Sequence, residues 1–172
     1  MKDDLLINRI RAGDEDAAEE LVRRYYIHVM RFCRWQCGIK DLAEDMTQET
    51  FFKVFRSLNQ YRQRGHFKTW LFCIARSVCI DELRKRKFEY EPDYDICEVC
   101  DEHDGIKHME IEDEIRWLLS GLPDEQKEAM ILHYMEGFSY REIGEILNIP
   151  YRTVQSRVNL AIKTLRQKGE NR

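Results

Sequence analysis

Apolar side chains recur at intervals of three and four along nearly the whole chain, as in Leu21, Tyr25, Val29, Phe32 and Cys33, or Val154, Val158, Ala161 and Leu165. That period places them on one face of a helix, whereas a half-buried strand would alternate them. Strand-like alternation is not evident, and three prolines in 172 residues leave long stretches unbroken. The expected fold class is therefore all-α, in one ordinary domain or two small ones. No apolar run approaches the roughly 18 residues of a membrane span. The acidic, polar start Met1-Lys2-Asp3-Asp4 is unlike an export signal. The expectation is a cytoplasmic chain without membrane insertion, whose six cysteines stay reduced. Cys33, Cys37, Cys73 and Cys79 fall in apolar helical stretches, where a free thiol behaves as a small hydrophobe.

A net charge of −4 argues at first against a nucleic-acid ligand, but the average hides a pattern. From Arg62 to Lys87 eight bases face only Asp81 and Glu82; from Glu89 to Glu114 twelve acids face the single base Lys107. From Pro150 to Arg172 the chain turns basic again, with Arg152, Arg157, Lys163, Arg166, Lys168 and Arg172 against Glu170. Helical spacing fails near Glu91-Pro92-Asp93 and resumes near Ile111. Residues 1–87 and 111–172 are thus read as two helical bundles, joined by a flexible acidic linker over 88–110.

In the first bundle, Leu5, Leu6 and Ile10 form a stripe ending at Gly13, and Asp14 or Asp16 can cap a longer helix that Gly38 stops. A third helix over about Lys40 to Leu58 puts Leu42, Met46 and Thr50 on one side and Asp45, Gln48, Glu49 and Phe52 on another. Periodicity alone leaves open whether that second face meets a basic partner or water. A fourth helix after Gly65-His66 carries Phe67, Trp70, Leu71, Ile74, Ala75 and Val78 at core spacing, with Arg76 and a basic end projecting elsewhere. Cations beside Tyr61, His66 and Phe67 suit a phosphate backbone with stacked, unpaired bases. A core role for the aromatics, with the cations at a helix C-terminus, fits equally.

In the second bundle, one amphipathic helix is expected over Ile111 to Leu119 and another from Pro123-Asp124 to about Met135. Ser139-Tyr140-Arg141-Glu142 matches a capping box, so a helix begins there. That helix ends near Asn148-Ile149, and Pro150 suits the first turn of the next. The result is a helix-turn-helix. Its second helix turns Val154, Val158, Ala161 and Leu165 inward and Arg152, Gln155, Ser156, Asn159 and Lys163 outward. A stripe of donors and acceptors at the start of such a helix is what reading base edges in the major groove requires.

These residues together resemble the extracytoplasmic-function (ECF) sigma factors, the smallest sigma-70-type subunits of bacterial RNA polymerase. Asp41-Leu42-Ala43-Glu44-Asp45-Met46-Thr47-Gln48-Glu49-Thr50-Phe51 resembles the segment that binds the polymerase clamp. Phe67 to Ser77 followed by Asp81-Glu82-Leu83-Arg84 resembles the segment that recognises and melts the −10 element. Leu122-Pro123 and the stretch from Phe138 to Leu165 resemble the domain that reads the −35 element. The resemblance implies a non-enzymatic initiation factor that binds core polymerase, recognises both elements and separates the strands. It assigns Asp45, Gln48 and Glu49 to the polymerase; Tyr61, Arg62, His66, Phe67, Lys68, Trp70, Arg76, Ser77 and Arg84 to the −10 element; and Arg152, Thr153, Gln155, Ser156, Arg157, Asn159 and Lys163 to the −35 duplex. Ser77 stands where asparagine is common and Leu160 where arginine is frequent, so the promoter sequence does not follow. An anti-sigma factor is the implied regulator, with a monomer when free of partners.

A stand-alone helix-turn-helix regulator is the alternative, and it would have no use for the Asp45, Gln48 and Glu49 face. No glycine-rich phosphate loop, metal-binding His-Glu pair or nucleophile motif points to an enzyme, so no catalytic residue is expected. Cys97, Cys100, His103 and His108 are zinc-type ligands at spacings unlike a standard finger, and they are read as incidental to the linker, with no metal or cofactor.

Overall fold

The computed structural model describes residues 2–62, 65–89, 115 and 117–170. It falls into two compact units, Met1–Cys100 and Asp101–Arg172. All regular structure among the described residues is helical. Cys97, Cys100, His103 and His108, most of the linker and most of the helix expected over Ile111 to Leu119 lie outside the described residues.

The first unit contains α1 (Lys2–Arg11), α2 (Glu15–Cys37), α3 (Lys40–Ser57), a single 3-10 turn (Leu58–Gln60) and α4 (Phe67–Glu89). The Asp14 carboxylate accepts a hydrogen bond from the Ala17 amide and caps α2, and Gly38, at φ 72°, ends it in the left-handed region. That amide bond, then the bond from Arg9, holds the Asp14 carboxyl below its ordinary value. Helices α2, α3 and α4 pack on one another and α1 packs on α2. Ile7, Leu21, Val29, Phe32, Met46, Val54, Leu71 and Phe72 have essentially no exposed surface. Thr47 and Thr50 are buried too, and each hydroxyl donates to the carbonyl four residues back (Ala43, 2.6 Å; Met46, 2.7 Å), so neither leaves a polar atom unsatisfied.

Three details differ from the sequence reading. On α1 the buried pair is Leu6 and Ile7, and Leu5 is 64% exposed, because α1 turns the edge of its stripe toward α2. On α4 Phe72 is fully buried, whereas Trp70 and Ile74 are only half-buried. Helix α4 also continues to Glu89, two residues past the expected boundary at 87. Three of the four helical thiols are interior as expected: Cys33, Cys37 and Cys79 are buried and form no disulfide, and the Cys79 thiol donates to Cys33 Sγ at 3.7 Å. That bond is the main reason the Cys33 thiol is lowered, while burial raises Cys37.

The second unit contains α5 (Asp124–Met130), which widens into one π-helical turn (Ile131–Met135), then α6 (Tyr140–Leu147) and α7 (Tyr151–Glu170). The single helix expected to run from Pro123-Asp124 to about Met135 is thus α-helical only to Met130. The Glu136 amide reaches the Ile131 carbonyl at 3.2 Å, and Gly137, at φ 74°, turns the chain toward α6. Both α5 and α6 pack on α7. Ala129, Leu132, Ile143, Val154, Val158 and Ala161 have no exposed surface, and Leu165, expected with them, is half-buried near the end of α7. Lys168 ties that end to the preceding segment, its ammonium 3.1 Å from the Trp117 carbonyl and 4.4 Å above the Trp117 ring.

Candidate nucleic-acid and protein interfaces

Helix α3 has two faces because Leu42, Ala43, Met46, Thr47 and Thr50 are drawn into the bundle. Asp45, Gln48, Glu49 and Phe52 are left in solvent, and Phe52 is 61% exposed. Part of this face borders a groove of about 630 Å³ between α3 and α4, lined by Asp45, Glu49, Lys53, Asp81 and Arg84 among others. Lys53 lies between two acids there, 3.9 Å from Glu49 and 3.8 Å from Asp81. At such exposure these contacts orient charge more than they stabilise the fold. Arg84, assigned by resemblance to DNA, therefore shares a groove with Asp45 and Glu49, assigned to the polymerase.

The aromatic corner before α4 is mostly internal. Tyr61 and Phe67 meet edge to face at 5.6 Å, Trp70 lies 5.0 Å from Tyr61 and 5.8 Å from Phe67, and Tyr25 packs on Phe67 at 5.6 Å. Phe67 is 1% exposed and Tyr61 6%, so neither ring presents a stacking face to solvent. Burial, then the hydrogen bond to the Asp3 carboxylate, pushes the Tyr25 phenol far above its ordinary value. Arg62 and His66 are exposed beside this corner, and Gly65 supplies the left-handed backbone (φ 71°) that turns the chain into α4.

Among the accessible positions along α4, His66, just before the helix, then Trp70, Cys73, Ser77, Ile80 and Arg84 follow one another at steps of four, three, four, three and four, while Asp81 and Lys85 are exposed beside them. The positions at those steps form one strip. Cys73, taken from sequence as an interior hydrophobe, is half-buried on this strip between Trp70 and Ser77; the regular steps through Trp70 and Ser77 were the signal for it. Lys68 and Arg76 lie off the strip and are half-buried, Lys68 with its ammonium 5.9 Å from the centre of the Phe72 ring.

In the second unit the capping box is complete. Ser139 Oγ accepts from the Glu142 amide, and the Glu142 carboxylate accepts from the Ser139 amide at 2.8 Å and its hydroxyl at 2.6 Å. Asn148, at φ 54°, ends α6, and the turn to Tyr151 is tight enough that a Cβ on Gly144 would stand 2.8 Å from the Ile149 carbonyl oxygen. The Pro150 carbonyl accepts from Thr153 and Val154, so proline caps α7 just ahead of its first residue. With Val154, Val158 and Ala161 inward, Arg152, Gln155, Ser156, Asn159 and Lys163 are all exposed. Two assigned residues differ from that set. Thr153 is half-buried, and Arg157 pairs with Glu125 of α5 at 2.6 Å with its side chain 22% exposed. Leu160 was noted only as a departure and is 51% exposed on the outer face, one turn from Ser156.

Comparison with known proteins agrees with this arrangement. The Sigma-70 region 2 profile matches residues 21–89 and the Sigma-70 region 4 profile matches residues 112–165. The ECF RNA polymerase sigma factor SigW of Bacillus subtilis is 30% identical over 94% of this chain and 93% of its own. SigM of the same organism, also an ECF RNA polymerase sigma factor, is 31% identical over 89% and 97%. A solved structure of the sigma factor RpoE in complex with the anti-sigma factor NepR from Bartonella quintana has the same fold, with a TM-score of 0.68 at 24% identity over 87% of this chain and 94% of that one. The stand-alone regulator is not favoured, since both halves of the chain match parts of one initiation factor. With two sigma regions in order and full-length relatives at this identity, the chain belongs to the ECF family of RNA polymerase sigma factors, which direct the enzyme to promoters.

Proposed function

We propose that the two units divide promoter recognition between them, residues 1–87 acting on the polymerase and the −10 element and residues 111–172 on the −35 duplex. The observation that carries this is the outer face of α7, where Arg152, Gln155, Ser156, Asn159 and Lys163 stand exposed on a helix anchored by three fully buried side chains. Amide and hydroxyl groups there match base-edge donors and acceptors, and Arg152 and Lys163 match phosphates. Arg157 serves first as a clamp on Glu125, so its contribution to DNA is indirect in this reading.

In the first unit, Asp45, Gln48 and Glu49 form the polymerase-facing surface. Arg62 and His66 begin, and Trp70, Ser77 and Arg84 continue, a track for the unpaired non-template strand. Trp70, which keeps some exposed surface, is the ring placed to stack a base, while Tyr61 and Phe67 support it from below. The chain makes and breaks no phosphodiester bond; it spends binding energy on strand separation, where each extruded base costs a few kcal/mol. It acts in the cytoplasm, as a monomer until it meets polymerase, under the control of an anti-sigma factor. The RpoE relative, solved with its own such factor, supports that last element. No helix among the described residues is long and apolar enough to cross a membrane.

The test is transcription by bacterial core polymerase on a randomised promoter library, with and without this chain. Start sites that appear only with the chain and share two spaced elements support the reading. Duplex binding with no effect on initiation overturns it.

A further inference from the structure

We infer that Arg11 is a positioning residue for the −10 segment, fixing from α1 the backbone that presents Arg62; the inference rests on the −10 role proposed above. The Arg11 guanidinium donates to the Leu58 carbonyl at 2.7 Å and to the Tyr61 carbonyl at 2.5 Å. These oxygens sit at the two ends of the 3-10 turn that follows α3, and the Leu58 oxygen also accepts the Tyr61 amide at 3.2 Å. Tyr61 then leaves helical geometry (φ −64°, ψ 120°), and its carbonyl accepts from Arg11 at the point where the helical turn ends. Both bonds come from one terminal nitrogen, Nη2, whose two hydrogens lie in the fixed guanidinium plane and can serve the two oxygens together.

The reach is 47 and 50 residues along the chain, so the contact ties α1 to a remote turn and does not merely finish a local one. Arg11 is itself exposed, which removes core packing as its reason for being there. Helix α1 holds the same corner from its other end. Asp3 pairs with Arg24 and accepts the Tyr25 hydroxyl at 2.7 Å, and the Tyr25 ring packs on Phe67, which packs on Tyr61. One end of α1 thus fixes the Tyr61 carbonyl and the other supports its ring. Arg62, the next residue, is the exposed group that this anchor positions most directly, and His66 stands exposed where α4 begins, its carbonyl accepting from the Trp70 amide at 3.1 Å. Arg11 lies before residues 21–89, the segment matched by the region 2 profile.

The test compares the intact chain with Arg11→Ala and Arg11→Lys, each with core polymerase, on a promoter duplex and on the same promoter with its −10 bases already unpaired. Strand opening is read by permanganate reactivity, and −10 base discrimination by competition between cognate and altered unpaired templates. Arg11→Ala is expected to slow opening roughly tenfold and to narrow discrimination; tenfold is about 1.4 kcal/mol, the low end for a single hydrogen bond made by a charged group, as suits a solvent-exposed arginine that acts through the backbone. Core affinity and −35 duplex binding should stay unchanged, and Arg11→Lys should recover part of both losses. Unchanged opening and discrimination in Arg11→Ala overturn the inference, as does a loss of core affinity in step with a lowered Tm, which would mark a merely structural role. If the unsubstituted chain itself opens no promoter, the −10 reading fails and this inference falls with it.

Discussion

Replacing Gly144 with alanine tests the helix-turn-helix geometry directly, because two opposed effects can be weighed. Gly144 is buried inside α6, and its backbone does not need a left-handed φ, so alanine gains about 1 kcal/mol of helix propensity. Against this, the new methyl would stand 2.8 Å from the Ile149 carbonyl oxygen and 3.5 Å from the Tyr151 nitrogen. Both are backbone atoms. The Ile149 oxygen must retreat by about half an ångström to reach ordinary contact distance. It sits in a turn fixed by left-handed Asn148 and by Pro150, and the same turn holds the 3.0 Å bond from the Ile149 amide to the Gly144 carbonyl. Overpacking of this kind costs about 1–3 kcal/mol and a weakened hydrogen bond about 1 more. The net destabilisation is then about 1–3 kcal/mol, or roughly 5–25 °C in the Tm of a unit this small. The turn sets the angle of α7, so −35 duplex binding well below Tm should fall by roughly tenfold or more as base contacts lose register. Thermal unfolding and duplex titration measure the two effects, with Gly169→Ala as the control. Gly169 lies in the last turn of α7 with nothing within 4 Å of a Cβ, so that change should leave duplex binding at wild type and stability equal or slightly raised. A Gly144→Ala chain as stable as wild type, binding duplex equally well, refutes the reasoning.

Removing the capping serine by Ser139→Ala should cost about 1 kcal/mol, seen as a lower denaturant midpoint for the second unit alone. Asp14 gives a pH signature at the other end of the chain. Its folded carboxyl titrates below the ordinary 3.8, so its stabilising effect is complete above that value and is lost as pH falls through the lower folded value. The stability difference between wild type and Asp14→Asn should therefore shrink toward zero as pH is lowered below 4, and a difference that persists or grows would contradict the assignment. Reversing charge at Glu49 with Glu49→Lys should weaken association with core polymerase while leaving −35 duplex binding intact, as read by a pull-down and a mobility shift in parallel. Arg157→Ala should lower the Tm of the second unit, and its effect on duplex affinity should be matched by Glu125→Ala; a loss confined to Arg157→Ala would make it a direct DNA contact.

Much of the fold was legible in the sequence because helices announce themselves locally. The caps at Asp14 and Ser139, the stops at Gly38 and Asn148 and the period of the apolar stripes each depend on residues only a few positions apart. The outer faces of α3 and α7 were legible for the same reason, since a helix that buries one stripe must expose another. What the sequence left open was how deeply the residues at the edges of those faces are buried. An aromatic before a basic helix reads equally as core or as a stacking surface, and only the convergence of Tyr25, Tyr61 and Trp70 around Phe67 puts Phe67 inside. Likewise Arg157 looks like one more DNA-facing base until Glu125, 32 positions earlier, is found beside it.

Sequence alone settled that this chain is helical, where most helices start and stop, that a charged connector separates two bundles, and that its motifs resemble those of a polymerase initiation factor. Those conclusions rest on interactions within one helix or one turn, whose partners are close in the chain. The tertiary structure decided which aromatics are surface, which arginines are already paired, that Arg84 shares a groove with Asp45 and Glu49, and that Arg11 reaches across to the turn before α4. Each of those depends on residues tens of positions apart, and their proximity is set by how buried stripes interlock, which no local pattern encodes.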